Sequence, residues 1–218
     1  MVPGEFAKTR YGRLAPFYDA LTALSGGGIA RARDAFLGRL PAPPCNPLVV
    51  GCGPGAFPAA FVQAENPERL TINDLAPEML ERSQRRLAAT GWTGTLAVLP
   101  GDITSLDLAP VYDLVVMQFV LTCFPQPARI RFLKRMRALL APGGILLVAD
   151  YSRPASPWLL PLFYLNYWAS VLLLWPLAGN PPNLPGDIEQ AILAGGFRIL
   201  RKRSFTAGLY TAWLLEAR

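Results

Sequence analysis

Three glycines at alternate positions, Gly51, Gly53 and Gly55, follow the apolar run "PLVV" and lead into Ala56. Lacking a Cβ, they let the chain take positive-φ conformations and let another group approach the main chain closely. A glycine-rich turn between a strand and a helix gathers backbone N–H groups and the positive end of the helix at one spot, a natural holder for a nucleotide. The next apolar run ends in Asp74, 23 positions after Gly51. A carboxylate there can accept from both hydroxyls of a ribose, the chemistry that marks an adenosine-containing cofactor. The string Gly51-Cys-Gly53-Pro-Gly55-Ala56 also satisfies G-x-G-x-x-G/A, so the glycines alone leave a nicotinamide dinucleotide open.

Composition narrows the chemistry. The 218 residues suit a single domain with its own core. Histidine is absent, which excludes a Ser-His-Asp triad, a Cys-His pair and any metal site built on imidazole. Cys45, Cys52 and Cys123 form no C-x-x-C pair, so neither a disulfide framework nor a thiolate zinc centre is expected, and Cys52 and Cys123 read as packing residues. No metal is expected. Lys and Arg number 21 against 15 Asp and Glu. The clusters Arg82/Arg85/Arg86, Arg129/Arg131/Lys134/Arg135/Arg137 and Arg198/Arg201/Lys202/Arg203 read as solvated faces, with no aromatic-interleaved basic motif to indicate a nucleic-acid partner. The first residues carry scattered charges, so no cleaved signal peptide is expected, and the cytoplasm is the default location.

The elements that must position the glycines and Asp74 follow from the alternation of short apolar runs with longer amphipathic ones. Strands are predicted at 47–50, 69–74, 94–102, 112–121 and 145–151, with helices after the first, second and fourth. Pro77 suits a first helical turn and Gly91 a stop. Together they form an α/β, doubly wound, Rossmann-like sheet. "GFRILRKRSFTAGLYTAWLLEAR" reads as two further strands turning at Ala207-Gly208, an antiparallel pair that brings the sheet to seven strands. Residues 1–44 read as a helical lid broken at Ser25-Gly26-Gly27-Gly28, residues 45–153 as the cofactor-binding core, 154–187 as an apolar insertion after strand five, and 188–218 as a helix and the strand pair. Trp158 to Leu177 is uncharged and long enough to cross a bilayer, but Pro161, Asn166 and Pro176 interrupt it, so a buried or interfacial helical insert is the reading adopted.

The series "LPGD", "YDLVV" and "LLAPGGILLVAD" after the glycine loop resembles the class I S-adenosylmethionine-dependent methyltransferases over about residues 45–153. "APFYDALTALSGGGIARAR", "TINDLAPEMLERSQRRL" and "DYSRP" resemble the ubiquinone/menaquinone biosynthesis C-methyltransferases and the related phospholipid N-methyltransferase-like proteins. The resemblance implies that Gly51, Gly53, Pro54 and Gly55 cradle the methionyl part of S-adenosylmethionine and that Asp74 holds the ribose. It implies that Asp102 and Ile103 face the adenine, that Gln118 lies near the sulfonium, and that Tyr18 and Tyr11 close over the cofactor from the lid. One position departs from the pattern. The family usually carries Asp or Glu two residues before the first glycine, against the cofactor's ammonium; here Val49 stands there.

The reaction so implied is methyl transfer by in-line displacement, in which the protein mainly aligns the reactants and excludes water. An acceptor that must lose a proton needs a base, and the candidates in a chain without histidine are Tyr18, Asp19, Asp150, Tyr151 or a water. Trp158, Phe163, Tyr164, Tyr167, Trp168 and Trp175 offer an apolar surface suited to a lipophilic acceptor, such as a quinol, a lipid amine or a secondary metabolite, and to peripheral membrane contact through 154–180. Two other readings remain: an NAD(P)-dependent oxidoreductase, against which stands the lack of a Tyr-x-x-x-Lys pair, and a non-catalytic nucleotide-binding protein, for which Val49 speaks.

Overall fold

The computed structural model describes residues 27–154, 156–168 and 187–218. Each apolar run read as a strand pairs with its neighbours in one seven-stranded sheet of order β3-β2-β1-β4-β5-β7-β6. The strands are β1 (Pro47–Val50), β2 (Arg69–Asp74), β3 (Thr95–Pro100), β4 (Tyr112–Gln118), β5 (Leu140–Tyr151), β6 (Phe197–Phe205) and β7 (Tyr210–Ala217). β1 to β5 run parallel, with Val50 level with Asn73 and Met117; β7 returns antiparallel between β5 and β6. The helices are α1 (Gly28–Arg33), α2 (Ala56–Glu65), α3 (Pro77–Ala88), α4 (Gln126–Leu139) and α5 (Ile188–Ala194).

Strand alternation divides the core between the two faces. Val49, Leu70, Ile72, Val116 and Leu147 pack with Phe36, Phe57, Phe61 and Leu80 of α1 to α3 and their flanks. Leu48, Val50, Val115, Met117 and Val148 pack with Phe132, Leu133, Met136 and Ile192 of α4 and α5 on the other. All the parallel strands therefore end at one edge, the carboxyl edge, where doubly wound folds bind ligands.

Four details differ from the sequence reading. β3 stops at Pro100, since Gly101 leaves the ladder with φ 105. β4 stops at Gln118 rather than continuing to 121, because Phe119 turns into the left-handed region at φ 58 and a 3₁₀ turn, Leu121–Cys123, follows. β5 begins at Leu140, paired with Tyr112 across a register shift. The glycine run at 25–28 is no break at its end: Gly28 opens α1, and a Cβ there would lie 2.6 Å from the Tyr210 ring, so the residue is small to let α1 approach β7.

The strand pair turns at Thr206–Gly208 as expected. Of the insertion, residues 160–168 are helical; residues 169–177 of the uncharged stretch, Trp175 included, lie outside the described residues. Among the described residues no helix is long and apolar enough to cross a membrane.

Candidate functional site

The main chain builds one side of the site. Gly53 has φ 56, and a Cβ there would meet nothing within 4 Å, so the bare backbone faces open room. Gly55 is tight for the opposite reason: its left-handed conformation starts α2, and a Cβ would come within 2.5 Å of Ser83 Cα in α3. Asp74 holds the turn. Its Oδ2 accepts from the Gly53 N–H at 2.9 Å and its Oδ1 from the Ala76 N–H at 3.0 Å. Burial raises the pKa of this carboxyl, while the backbone donors at Ala76, Gly53 and Leu75 pull it down. A carboxylate carries about four lone-pair sites, so acceptor capacity remains for a ligand hydroxyl.

Asn73, which the sequence reading missed, ties the edge together. Its side-chain amide donates to the carbonyls of Leu99 (2.8 Å) and Gly101 (2.9 Å), while its own carbonyl accepts from the Cys52 N–H at 3.0 Å. The Gly101 N–H donates to the Asp74 carbonyl at 2.9 Å, which brings the Gly101-Asp102 turn beside Asp74. The available signal was a polar residue at a buried position in an otherwise apolar strand; at 3% exposure it must be bonded.

The remaining residues divide. Asp102 Oδ1 accepts from the Thr104 N–H (2.9 Å) and hydroxyl (2.8 Å), an Asx turn that fixes the carboxylate at the rim. The Ile103 side chain is 2% exposed and belongs to the core on the α4 face, so only its main chain is left to face a ligand. Gln118 leaves β4 next to Gly51, one step beyond the paired Val50 and Met117. Its amide nitrogen and oxygen are both buried with no hydrogen-bond partner among the described residues, a costly state that a bound polar group would relieve. Val49 is 1% exposed in the core, so no carboxylate stands in its place. Pro54 lies within the turn; Tyr11, Tyr18 and Asp19 lie outside the described residues. Cys52 is buried, and burial raises its thiol pKa further with Asp74 nearby, which suits packing and not nucleophilic attack.

The other side of the site is made of side chains. Tyr151, at the end of β5, meets Phe119 (ring centroids 5.8 Å apart), Tyr167 (5.6 Å) and Tyr210 (5.3 Å). The Tyr210 hydroxyl donates to Asn166 Oδ1 at 3.0 Å, pinning the helical residues 160–168 over this edge. Asp150 is sealed at 0% exposure and accepts from the N–H groups of Leu121, Thr122 and Tyr151. That corrects its candidacy as a base, because a carboxylate already shared among three donors and shut away from the crevice receives no acceptor proton. Arg129, read as part of a solvated face, is also 0% exposed, with Nε donating to the Leu121 carbonyl at 2.8 Å. It stands three, four and seven residues before Phe132, Leu133 and Met136, on the apolar face of α4, and that spacing was the signal.

A turn of open backbone, a carboxylate at the second strand end and, among the described residues, an amide without a partner at the fourth are groups that could hold an adenosine cofactor with a polar methionyl end. Comparison with known proteins points to methyltransferases. The profile of the family described as "Methyltransferase domain" matches residues 48–144. The demethylmenaquinone methyltransferase of Chlamydia trachomatis is 27% identical over 218 aligned positions, covering 93% of each chain. The trans-aconitate 2-methyltransferase of Methylobacterium nodulans is 31% identical over 191, covering 86% of this chain and 63% of that protein. Among solved structures, an O-methyltransferase family 2 protein from Planctomyces limnophilus, in complex with apigenin, superposes with a TM-score of 0.70 at 21% identity; the match covers 95% of this chain and 62% of that one.

Proposed function

The chain is an S-adenosylmethionine-dependent methyltransferase of class I architecture, and from that premise we propose that its acceptor is a small lipophilic molecule: a quinol, a lipid amine or an apolar secondary metabolite. The observation that carries this reading is the aromatic wall at the carboxyl edge, made of the half-buried rings of Phe119 and Tyr151 with the buried Tyr210 ring packed behind them, one residue beyond Gln118 and beside the helical residues 160–168. Aromatic faces bind apolar rings and exclude water. The similarity to a demethylmenaquinone methyltransferase along nearly its whole length supports the quinol member of that set.

When bound, S-adenosylmethionine supplies a methyl group already activated on a positively charged sulfur. The open backbone of the Gly51, Gly53, Pro54 and Gly55 turn would hold its methionyl end, Asp74 the ribose hydroxyls, and Asp102 with the main chain of Ile103 the adenine. Gln118 would place its amide at the sulfonium end. With Val49 apolar, the ammonium would fall to main-chain carbonyls of the turn or to another carboxylate. Tyr11 and Tyr18 would close the cofactor side. An acceptor proton would pass to Tyr151, Asp19 or a water, since Asp150 is sealed. Trp158 (91% exposed), Leu162 (50%) and Leu165 (69%) are open to solvent and, with the excess of cations, would dock the enzyme on an anionic bilayer from the cytoplasmic side.

Calorimetry with S-adenosylmethionine, S-adenosylhomocysteine and NADH, followed by a labelled-methyl assay on demethylmenaquinol, a simple phenol, a lipid amine and trans-aconitate, tests the proposal. Both sulfur compounds should bind, and label should pass to an apolar acceptor. Transfer to trans-aconitate alone would refute the lipophilic acceptor. Binding of NADH in place of the sulfur compounds would make the chain an oxidoreductase, and binding of none a non-catalytic protein.

A further inference from the structure

Burying an arginine and an aspartate is costly unless hydrogen bonds compensate, and apolar replacements often fold as well. This chain nevertheless keeps such a pair directly behind the turn that leaves β4. Asp150 Oδ2 accepts from the N–H of Leu121 at 2.9 Å and of Thr122 at 3.2 Å, and its Oδ1 from the N–H of Tyr151 at 2.8 Å. Arg129 Nε donates to the Leu121 carbonyl at 2.8 Å, and Nη1 to Gln126 Oε1 at 3.1 Å. Leu121 is thus gripped at both of its backbone polar groups, the N–H by the carboxylate and the C=O by the guanidinium.

Two residues before this grip stands Phe119 with φ 58, a conformation rare and strained for a bulky side chain. Its N–H is held by the Ala149 carbonyl at 2.7 Å. In that conformation its ring lies edge-on to Tyr151 (81° between planes) and Tyr210 (73°). Relaxation of Phe119 to an ordinary φ would swing the ring out of the wall and carry Gln118 with it.

We propose that Asp150 and Arg129 are positioning residues: a clamp on the 119–123 turn that keeps Phe119 left-handed, its ring in the acceptor wall and the Gln118 amide at the cofactor crevice. What the wall and the amide receive rests on the methyltransferase reading; the clamp itself is a coupling between the pair and a strained backbone, and is measured without any ligand.

The test is a double-mutant cycle in urea unfolding with Asp150→Asn, Phe119→Gly and the two combined. Glycine adopts positive φ freely, so in the Phe119→Gly background the clamp has little strain to oppose. Asp150→Asn should lower the midpoint clearly in the wild-type background and by less than half as much beside Phe119→Gly; equal losses would overturn the clamp. Arg129→Lys serves if Asp150→Asn does not fold, with the same expectation in the cycle. Arg129→Lys should also weaken S-adenosylhomocysteine binding by about tenfold at a temperature where it is fully folded, because a displaced Gln118 is misaimed. A lowered midpoint with unchanged affinity would reduce the pair to a stabilising contact and overturn the positioning role. If the wild-type protein itself fails to bind S-adenosylhomocysteine, the methyltransferase reading falls, and the cycle still decides the clamp.

Discussion

Two carboxylates stand at the carboxyl edge of the sheet, Asp74 ending β2 and Asp150 near the end of β5, and both hold a turn by accepting backbone N–H groups. They differ in what lies beyond them. Asp74 is half-buried and borders the open room at Gly53, whereas Asp150 is sealed at 0% exposure with Arg129 behind it. The same device serves a ligand where it opens on the crevice and geometry alone where it is closed off. The difference lies in the neighbourhood: bare main chain around the first, packed aromatic rings around the second.

Three experiments would break or sharpen that contrast. The largest effect is expected at the open carboxylate. Asp74→Ala should weaken S-adenosylhomocysteine binding about 100-fold, since hydrogen bonds to a charged group contribute about 1.5 to 3 kcal/mol each, and calorimetry reads it directly; an unchanged affinity would mean that Asp74 only shapes the turn. A smaller effect separates the sealed carboxylate. Burial pushes the Asp150 carboxyl up to about 6, with its backbone donors, the Thr122 hydroxyl and Arg129 pulling it down. The folded protein thus holds this proton more tightly than the unfolded chain, where an aspartate titrates near 3.9. Its contribution to stability is fully present below about pH 4 and is lost as pH rises through 6. Wild type should gain stability relative to Asp150→Asn as pH falls from 7 to about 4.5, measured as the gap between urea midpoints; a gap that narrows on acidification would place the carboxyl's folded pKa below its unfolded value. The smallest effect concerns the outer surface of the aromatic side. Trp158→Ser should leave stability within about 0.5 kcal/mol yet reduce sedimentation with anionic liposomes, and equal partition of both proteins would remove the membrane face.

The open side was legible along the chain because it is local. Gly51, Gly53 and Gly55 fall in one turn, and Asp74 ends the adjacent strand, so residue type and spacing give the chemistry without knowledge of packing. Gln118 was reached only through the family resemblance, and that its amide would be left without a partner among the described residues was not legible. Asn73 escaped because its partners, Leu99 on β3 and Gly101 just beyond it, come from a distant part of the chain. Arg129 escaped because a run of five cations reads as a wet face, although its place on the apolar stripe of α4 said otherwise. The wall of Phe119, Tyr151, Tyr167 and Tyr210 collects four rings separated by up to 91 positions.

Sequence by itself determined the order of strands and helices, the bend of bare backbone and the acid that faces it, since these follow from hydrophobic period and from what a glycine or a carboxylate can do within a few residues. Tertiary structure alone decided which buried polar groups meet. Whether an aspartate binds a ligand or clamps a turn depends on burial and on donors brought from distant strands, and those quantities exist only once the sheet has closed.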